Sequence, residues 1–195
     1  MDADTMARFF VVVLAILVAS TVAAAFVPAW RATVVRRALP ISAFVAVGAT
    51  LGSLWFSERA GFIPCELCWY QRIAMYPLAA LFVMGLVRRD RGVLAYGLPI
   101  AVVGFGISAY HTWIQWFPET SNLCSFTEPC SGKWVEAFGV FTIPQMAGLS
   151  FAVIIATGVM ALLADRRAAH ADQDGDADPS TVVSETAAPV SPARN

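Results

Sequence analysis

The sequence predicts an all-α integral membrane protein: a four-helix transmembrane bundle core with one extra N-terminal transmembrane helix. Three observations carry this. Hydrophobic residues make up 58% of the 195 and charged residues only 14%, where a soluble domain carries about a quarter charged. Mean hydropathy is +0.65, and the apolar residues gather into five long runs. Each run is near the ~20 residues a helix needs to cross ~30 Å of hydrocarbon. Basic residues cluster in alternate connections, as they do between membrane helices. In lipid such runs must be helical, because a helix satisfies its own backbone hydrogen bonds. A net charge of −1 gives no sign of a nucleic-acid partner.

Segment A covers about Phe9 to Ala29, segment B about Leu39 to Phe56, and segment C about Trp69 to Val87. Segment D covers about Val93 to Tyr110 and segment E about Pro144 to Ala164. Within A, Ala23-Ala24-Ala25 resembles a signal-peptide cleavage site. Removing A would send the next cysteine motif into the cytoplasm, against the arginine distribution, so A is read as a retained helix. Segment B holds Gly48-x-x-x-Gly52, a spacing that lets two helices approach closely, although ordinary membrane-helix composition would give it too. Pro77 is expected to kink segment C. The stretch Thr112 to Asn122 reads either as a short amphipathic element on the membrane surface or as irregular loop, because Pro118 limits any helix.

Orientation follows from the arginines. Arg31, Arg36 and Arg37 lie between A and B, Arg88, Arg89 and Arg91 between C and D, and Arg166 and Arg167 after E. These regions are expected on the cytoplasmic side. The B–C and D–E connections are then extracytoplasmic, and both cysteine pairs fall on them. The organisation expected is residues 1–38 as the extra helix and linker, 39–164 as the redox domain, and 165–195 as a disordered cytoplasmic tail. The alternating Asp172, Asp174, Asp176 and Asp178 do not make a calcium loop, since Gly175 comes too early and no distal glutamate follows.

The chemistry sits in Gly61-Phe-Ile-Pro-Cys65-Glu-Leu-Cys68-Trp-Tyr-Gln71-Arg72. If Pro64 precedes a helix start, Cys65 and Cys68 lie one turn apart on one face. The positive helix N-terminus favours thiolate over thiol. Arg72 follows four residues after Cys68 on the same stripe, where its cation would stabilise a Cys68 thiolate or bind an acceptor's carbonyl oxygen. An interfacial anchor is the plainer reading of that arginine. Cys124 and Cys130 enclose five residues, and a disulfide across so short a loop would be open to exchange. Zinc binding and inert structural disulfides are the alternatives. The wide second spacing speaks against zinc, and the tight CxxC speaks against mere stapling. No metal site is expected. His111, at the outer end of D, reads as a solvated interfacial histidine, with a quinone contact as the other possibility.

The stretch Pro64-Cys-Glu-Leu-Cys-Trp-Tyr-Gln-Arg-Ile-Ala-Met-Tyr-Pro77 closely resembles the disulfide bond formation protein B (DsbB) family, especially its short-loop BdbC-like branch. A second block also matches: Cys124-x5-Cys130-x3-Trp134, then Phe138-Gly139 and Thr142-Ile-Pro144. Tyr110-His111 with Gln115 resembles the end of the third family helix. The likeness covers about Leu39 to Leu163. Vitamin K epoxide reductase relatives place their loop cysteines before the CxxC, so the order here speaks against them. The resemblance implies a quinone-linked oxidase, using ubiquinone or menaquinone, that regenerates a soluble thioredoxin-like thiol oxidase (DsbA- or BdbD-like). It implies that Cys124 is attacked by the reduced partner and that Cys130 is released and exchanges with Cys65. Cys68 would pass electrons to quinone, with Arg72 and His111 as quinone contacts. A conduit running in the reducing direction would use the same residues.

Overall fold

The structure is a computed structural model that describes residues 2–118, 124 and 130–176. Its described residues form six helices: α1 (Ala3–Phe26), α2 (Pro28–Arg36), α3 (Ala38–Glu58), α4 (Glu66–Arg88), α5 (Val93–Trp116) and α6 (Ile143–Asp176). Five of them, all but α2, are long and apolar enough to cross a membrane. Their lipid-facing sides carry Ile16, Phe44, Val83 and Val103, all exposed, as expected of helices whose solvent is hydrocarbon.

Helices α3, α4, α5 and α6 pack as a ring of neighbours, α3 closing against α6. Large side chains seat on glycines where these helices meet. A methyl added at Gly97 of α5 would lie 2.6 Å from the Phe82 ring of α4, and Phe151 of α6 presses on Gly104 in the same way. Without a Cβ the backbones approach and the rings fill the gap. Leu78, Phe82, Leu94, Ala101, Phe151 and Ile154 form the centre of this packing. Inside it, the Ser42 and Thr157 hydroxyls lie 3.2 Å apart, linking α3 to α6.

Several boundaries differ from the sequence expectation for physical reasons. Segment A ends at Phe26, not Ala29, because Val27 is extended and Pro28 opens a new helix. Proline at that position has no amide hydrogen to lose and a φ already suited to helix. The arginine-bearing connection is thus largely the helix α2. Helix α5 continues through Thr112 to Trp116, so this part of the expected surface element extends the membrane helix. It stops at Phe117, just before Pro118. Residues 119–122 lie outside those described. Helix α6 runs on to Asp176, so the first part of the expected disordered tail is helical, while 177–195 lie outside the described residues. Gly52 does receive a close neighbour, the Phe10 ring of α1, 2.7 Å from an added methyl. Gly48 faces open space, so the small-residue motif acts through one glycine alone.

Candidate functional site

The site forms where α3 ends, α4 and α6 begin, and α5 ends. Gly61, at φ +71, turns the chain after α3. An extended run then delivers Cys65 as the N-cap of α4, with its carbonyl accepting the Trp69 amide at 3.1 Å. The helix start expected from Pro64 is therefore present, and Cys68 lies one turn on. The two sulfurs are 2.9 Å apart and unbonded. Across from them, Cys124 and Cys130 form a disulfide with Cα atoms 5.9 Å apart.

His111 joins the two pairs. It is buried, not solvated, at 2% exposure. Its Nε2 lies 3.0 Å from the Cys130 carbonyl oxygen and 3.7 Å from Cys65 Sγ. The sulfurs of Cys65 and Cys130 and a nitrogen of His111 all fall within 4.8 Å of one another. Gln71 approaches Nδ1 of the same ring at 3.5 Å. The Cys68 hydrogen bond is the main influence holding the Cys65 thiol well below its ordinary pKa. His111 adds to it, and together they outweigh the opposing effect of burial.

The loop side is braced separately. Phe138 and Gly139 both take positive φ in a tight turn closed by the Ala137 amide donating to Phe141 at 2.8 Å. Thr142 then caps α6: its amide donates to Gln145 Oε1 at 2.9 Å, the return half of a capping box. Its hydroxyl donates to Gln115 Oε1 at 2.7 Å. Gln115 Nε2 in turn donates to the Gly132 carbonyl at 3.3 Å. The segment following Cys130 is thereby tied to the end of α5.

Arg72 stands on the other side of the CxxC. Its Nε donates to Ser53 Oγ at 2.9 Å, and its Nη2 donates to the Ser53 carbonyl at 3.1 Å and to the Ser57 hydroxyl. Its guanidinium lies over the Trp69 ring, 5.3 Å from the centroid. Arg72 and Cys68 line one cavity of ≈ 100 Å³, mostly apolar, with Phe10, Phe56, Met75 and Tyr76 among its walls. A smaller cavity holds Cys65, Cys68 and His111. Cys68 lines both, with Trp134 and Ile143, while Arg72 and His111, each expected beside the acceptor, line different cavities. The larger cavity presents aromatic walls, with the Arg72 guanidinium and the Tyr76 hydroxyl among its polar groups.

Sequence reasoning missed Ser53, Ser57, Gln71 and Thr142. The two serines sit one turn apart on α3, a polar stripe in an apolar helix that could have flagged a half-buried cation's partners.

A membrane-crossing helical bundle that holds a close dithiol beside a disulfide, with a buried histidine between them, defines a membrane thiol–disulfide oxidoreductase. A family model described as "Disulfide bond formation protein DsbB" matches residues 35–164, and the chain belongs to that family. It is 47% identical over 113 residues to disulfide bond formation protein C of Bacillus subtilis, covering 57% of this chain and 82% of that protein. It is 38% identical over 125 residues to a probable disulfide formation protein of Oceanobacillus iheyensis, covering 63% of this chain and 84% of the relative. A probable disulfide formation protein C 2 of Bacillus anthracis is 39% identical over 125 residues, covering 63% and 89%. No solved structure matches the chain. Helix α1 lies wholly before the matched residues.

Proposed function

We propose that the chain is a quinone-linked thiol oxidase of a bacterial plasma membrane, reoxidising an extracytoplasmic thioredoxin-like dithiol protein. The observation that carries this reading is the closeness of the two cysteine pairs. The loop cysteines are joined, the CxxC sulfurs lie 2.9 Å apart, and the Cys65 and Cys130 sulfurs fall within 4.8 Å. That is the spacing a relay of exchanges from one pair to the other requires.

The steps balance as successive exchanges. A partner thiolate attacks Cys124 and displaces Cys130 as thiolate. Cys130 attacks Cys65 of the oxidised CxxC, and Cys68 leaves with the electron pair. The partner's second thiolate resolves its bond to Cys124, so the partner departs as a disulfide. Cys124 then attacks Cys130 and frees Cys65. Two electrons now rest on Cys65 and Cys68, and the loop disulfide is restored. A quinone bound in the larger cavity supplies a two-electron, two-proton sink. Cys68 faces that cavity, and Arg72 holds a fixed positive charge there by its bonds to Ser53 and Ser57. The arginine clusters of the other connections support an extracytoplasmic position for both cysteine loops.

The test is reconstitution in lipid with a reduced thioredoxin-like partner and quinone. Wild-type protein should oxidise the partner with matching quinone reduction. Cys68→Ser should stop quinone reduction yet still capture a partner lacking its second cysteine as a mixed disulfide at Cys124. Full quinone-coupled turnover by Cys68→Ser would overturn the reading.

A further inference from the structure

The larger cavity is not built by the family-matched residues alone. Phe10 and Leu14 of α1 line it together with Cys68, Arg72 and Tyr76, and α1 precedes the matched region, which begins at residue 35. We propose that α1 is a working wall of the acceptor site, and that Phe10 determines which lipid-soluble acceptors reach Cys68.

Three placements support this. The Phe10 ring sits on Gly52, one residue before the Ser53 that holds Arg72, with an added methyl at 2.7 Å. Ala7, Val11 and Leu14 pack with Phe56, Val135, Ala137 and Met146 in one buried cluster, so the helix is seated against α3, the loop and α6. Arg8 places its guanidinium 5.9 Å from the centre of the Phe138 ring in the tight turn. The seat is therefore specific at the cysteine end of α1, where a mere anchor would need only lipid-facing apolar residues. A ring at this position limits the width available to a flat headgroup. Trimming it should admit a wider, two-ring headgroup while weakening the hold on a one-ring headgroup.

This inference rests on the proposed acceptor chemistry. The experiment uses the full chain in lipid, with a short-tailed benzoquinone and a short-tailed naphthoquinone compared side by side, and partner oxidation as the readout. Phe10→Ala should raise KM for the benzoquinone by about fivefold to tenfold, the scale of a lost ring contact, leave kcat near wild type, and shift preference toward the naphthoquinone. Phe10→Leu, which keeps bulk and seating, should give the same shifts at smaller size. Ile16→Ala, at a lipid-facing position of the same helix, should match wild type. Unchanged KM and preference in both Phe10 variants would overturn the inference while leaving the acceptor reading standing. Wild-type protein that neither quinone can oxidise would overturn both.

Discussion

His111 Nε2 lies 3.0 Å from the carbonyl oxygen of Cys130, binding α5 to the loop disulfide. A carbonyl can only accept, so Nε2 carries the hydrogen. Nδ1 is then the acceptor, which suits the Gln71 amide nitrogen 3.5 Å away. The same Nε2 is 3.7 Å from Cys65 Sγ, so one buried donor serves both the disulfide's backbone and the thiol that would exchange with it. His111→Ala should leave the Cys130 carbonyl unpaired, a cost of about 1–3 kcal/mol. Exchange between the two cysteine pairs should slow about tenfold or more, the kinetic equivalent of ~1.4 kcal/mol. Rapid acid quenching followed by alkylation would measure this, and His111→Gln, which retains a donor, should recover part of the rate.

Cys65 should remain thiolate as the pH falls. Its pKa is lowered to about 4, first by the Cys68 hydrogen bond and then by His111, with burial opposing. A lowered pKa means deprotonation persists below the usual thiol range. Alkylation of an ordinary thiol slows about tenfold for each pH unit below ~8.5, whereas alkylation of Cys65 should stay nearly level from about pH 8 to 6. Cys68→Ala removes the leading cause and should move the Cys65 profile upward. Mass spectrometry of labelled peptides separates the two sulfurs. An ordinary Cys65 profile in wild-type protein would contradict the geometry.

Arg72 offers a planar guanidinium held by three acceptors on α3. Arg72→Lys keeps the charge but cannot span Ser53 and Ser57 as a planar fork. Its KM for quinone should rise about tenfold, one hydrogen bond to a charged group being worth roughly 1.5–3 kcal/mol. Exchange between the partner and Cys124 should be unaltered, because Arg72 lies on the far side of the CxxC. Ser57→Ala should fall between wild type and Arg72→Lys if the serines act by holding the guanidinium.

The sequence disclosed the membrane class and the helix count of the core because hydrocarbon imposes a length and a composition that can be counted along the chain. It disclosed the cysteines because a CxxC followed by an arginine reports a local geometry, one face of one helix. It did not disclose that His111 is buried, since position at a helix end says nothing about what folds over it; here the segment after Cys130 does. It also missed the partners of Arg72, because Ser53 and Ser57 belong to another helix and their meeting depends on how α3 and α4 pack. The break at Val27 was readable from Pro28, but the helix after it was obscured by its own arginines, whose charge resembles a loop.

The glycine contacts make a last prediction about stability. Gly97 and Phe82 meet so closely that a methyl on the glycine would lie 2.6 Å from the ring. Gly97→Leu must push α5 away from α4 or drive Phe82 from its buried seat, and overpacking of this kind costs about 1–3 kcal/mol. Phe82→Ala alone should destabilise by roughly 3–5 kcal/mol through the cavity it leaves. Because one side chain would fill the space the other vacates, the double variant should be more stable than the sum of the singles predicts, with a coupling of about 1 kcal/mol or more. Gly48, with nothing within 4 Å of an added methyl, provides the control. Gly48→Ala should leave stability unchanged or raise it slightly, since alanine is the better helix former by about 1 kcal/mol. Reversible unfolding in mixed detergent would measure all four variants. Additive losses in the double variant would show that α4 and α5 do not meet through this pair.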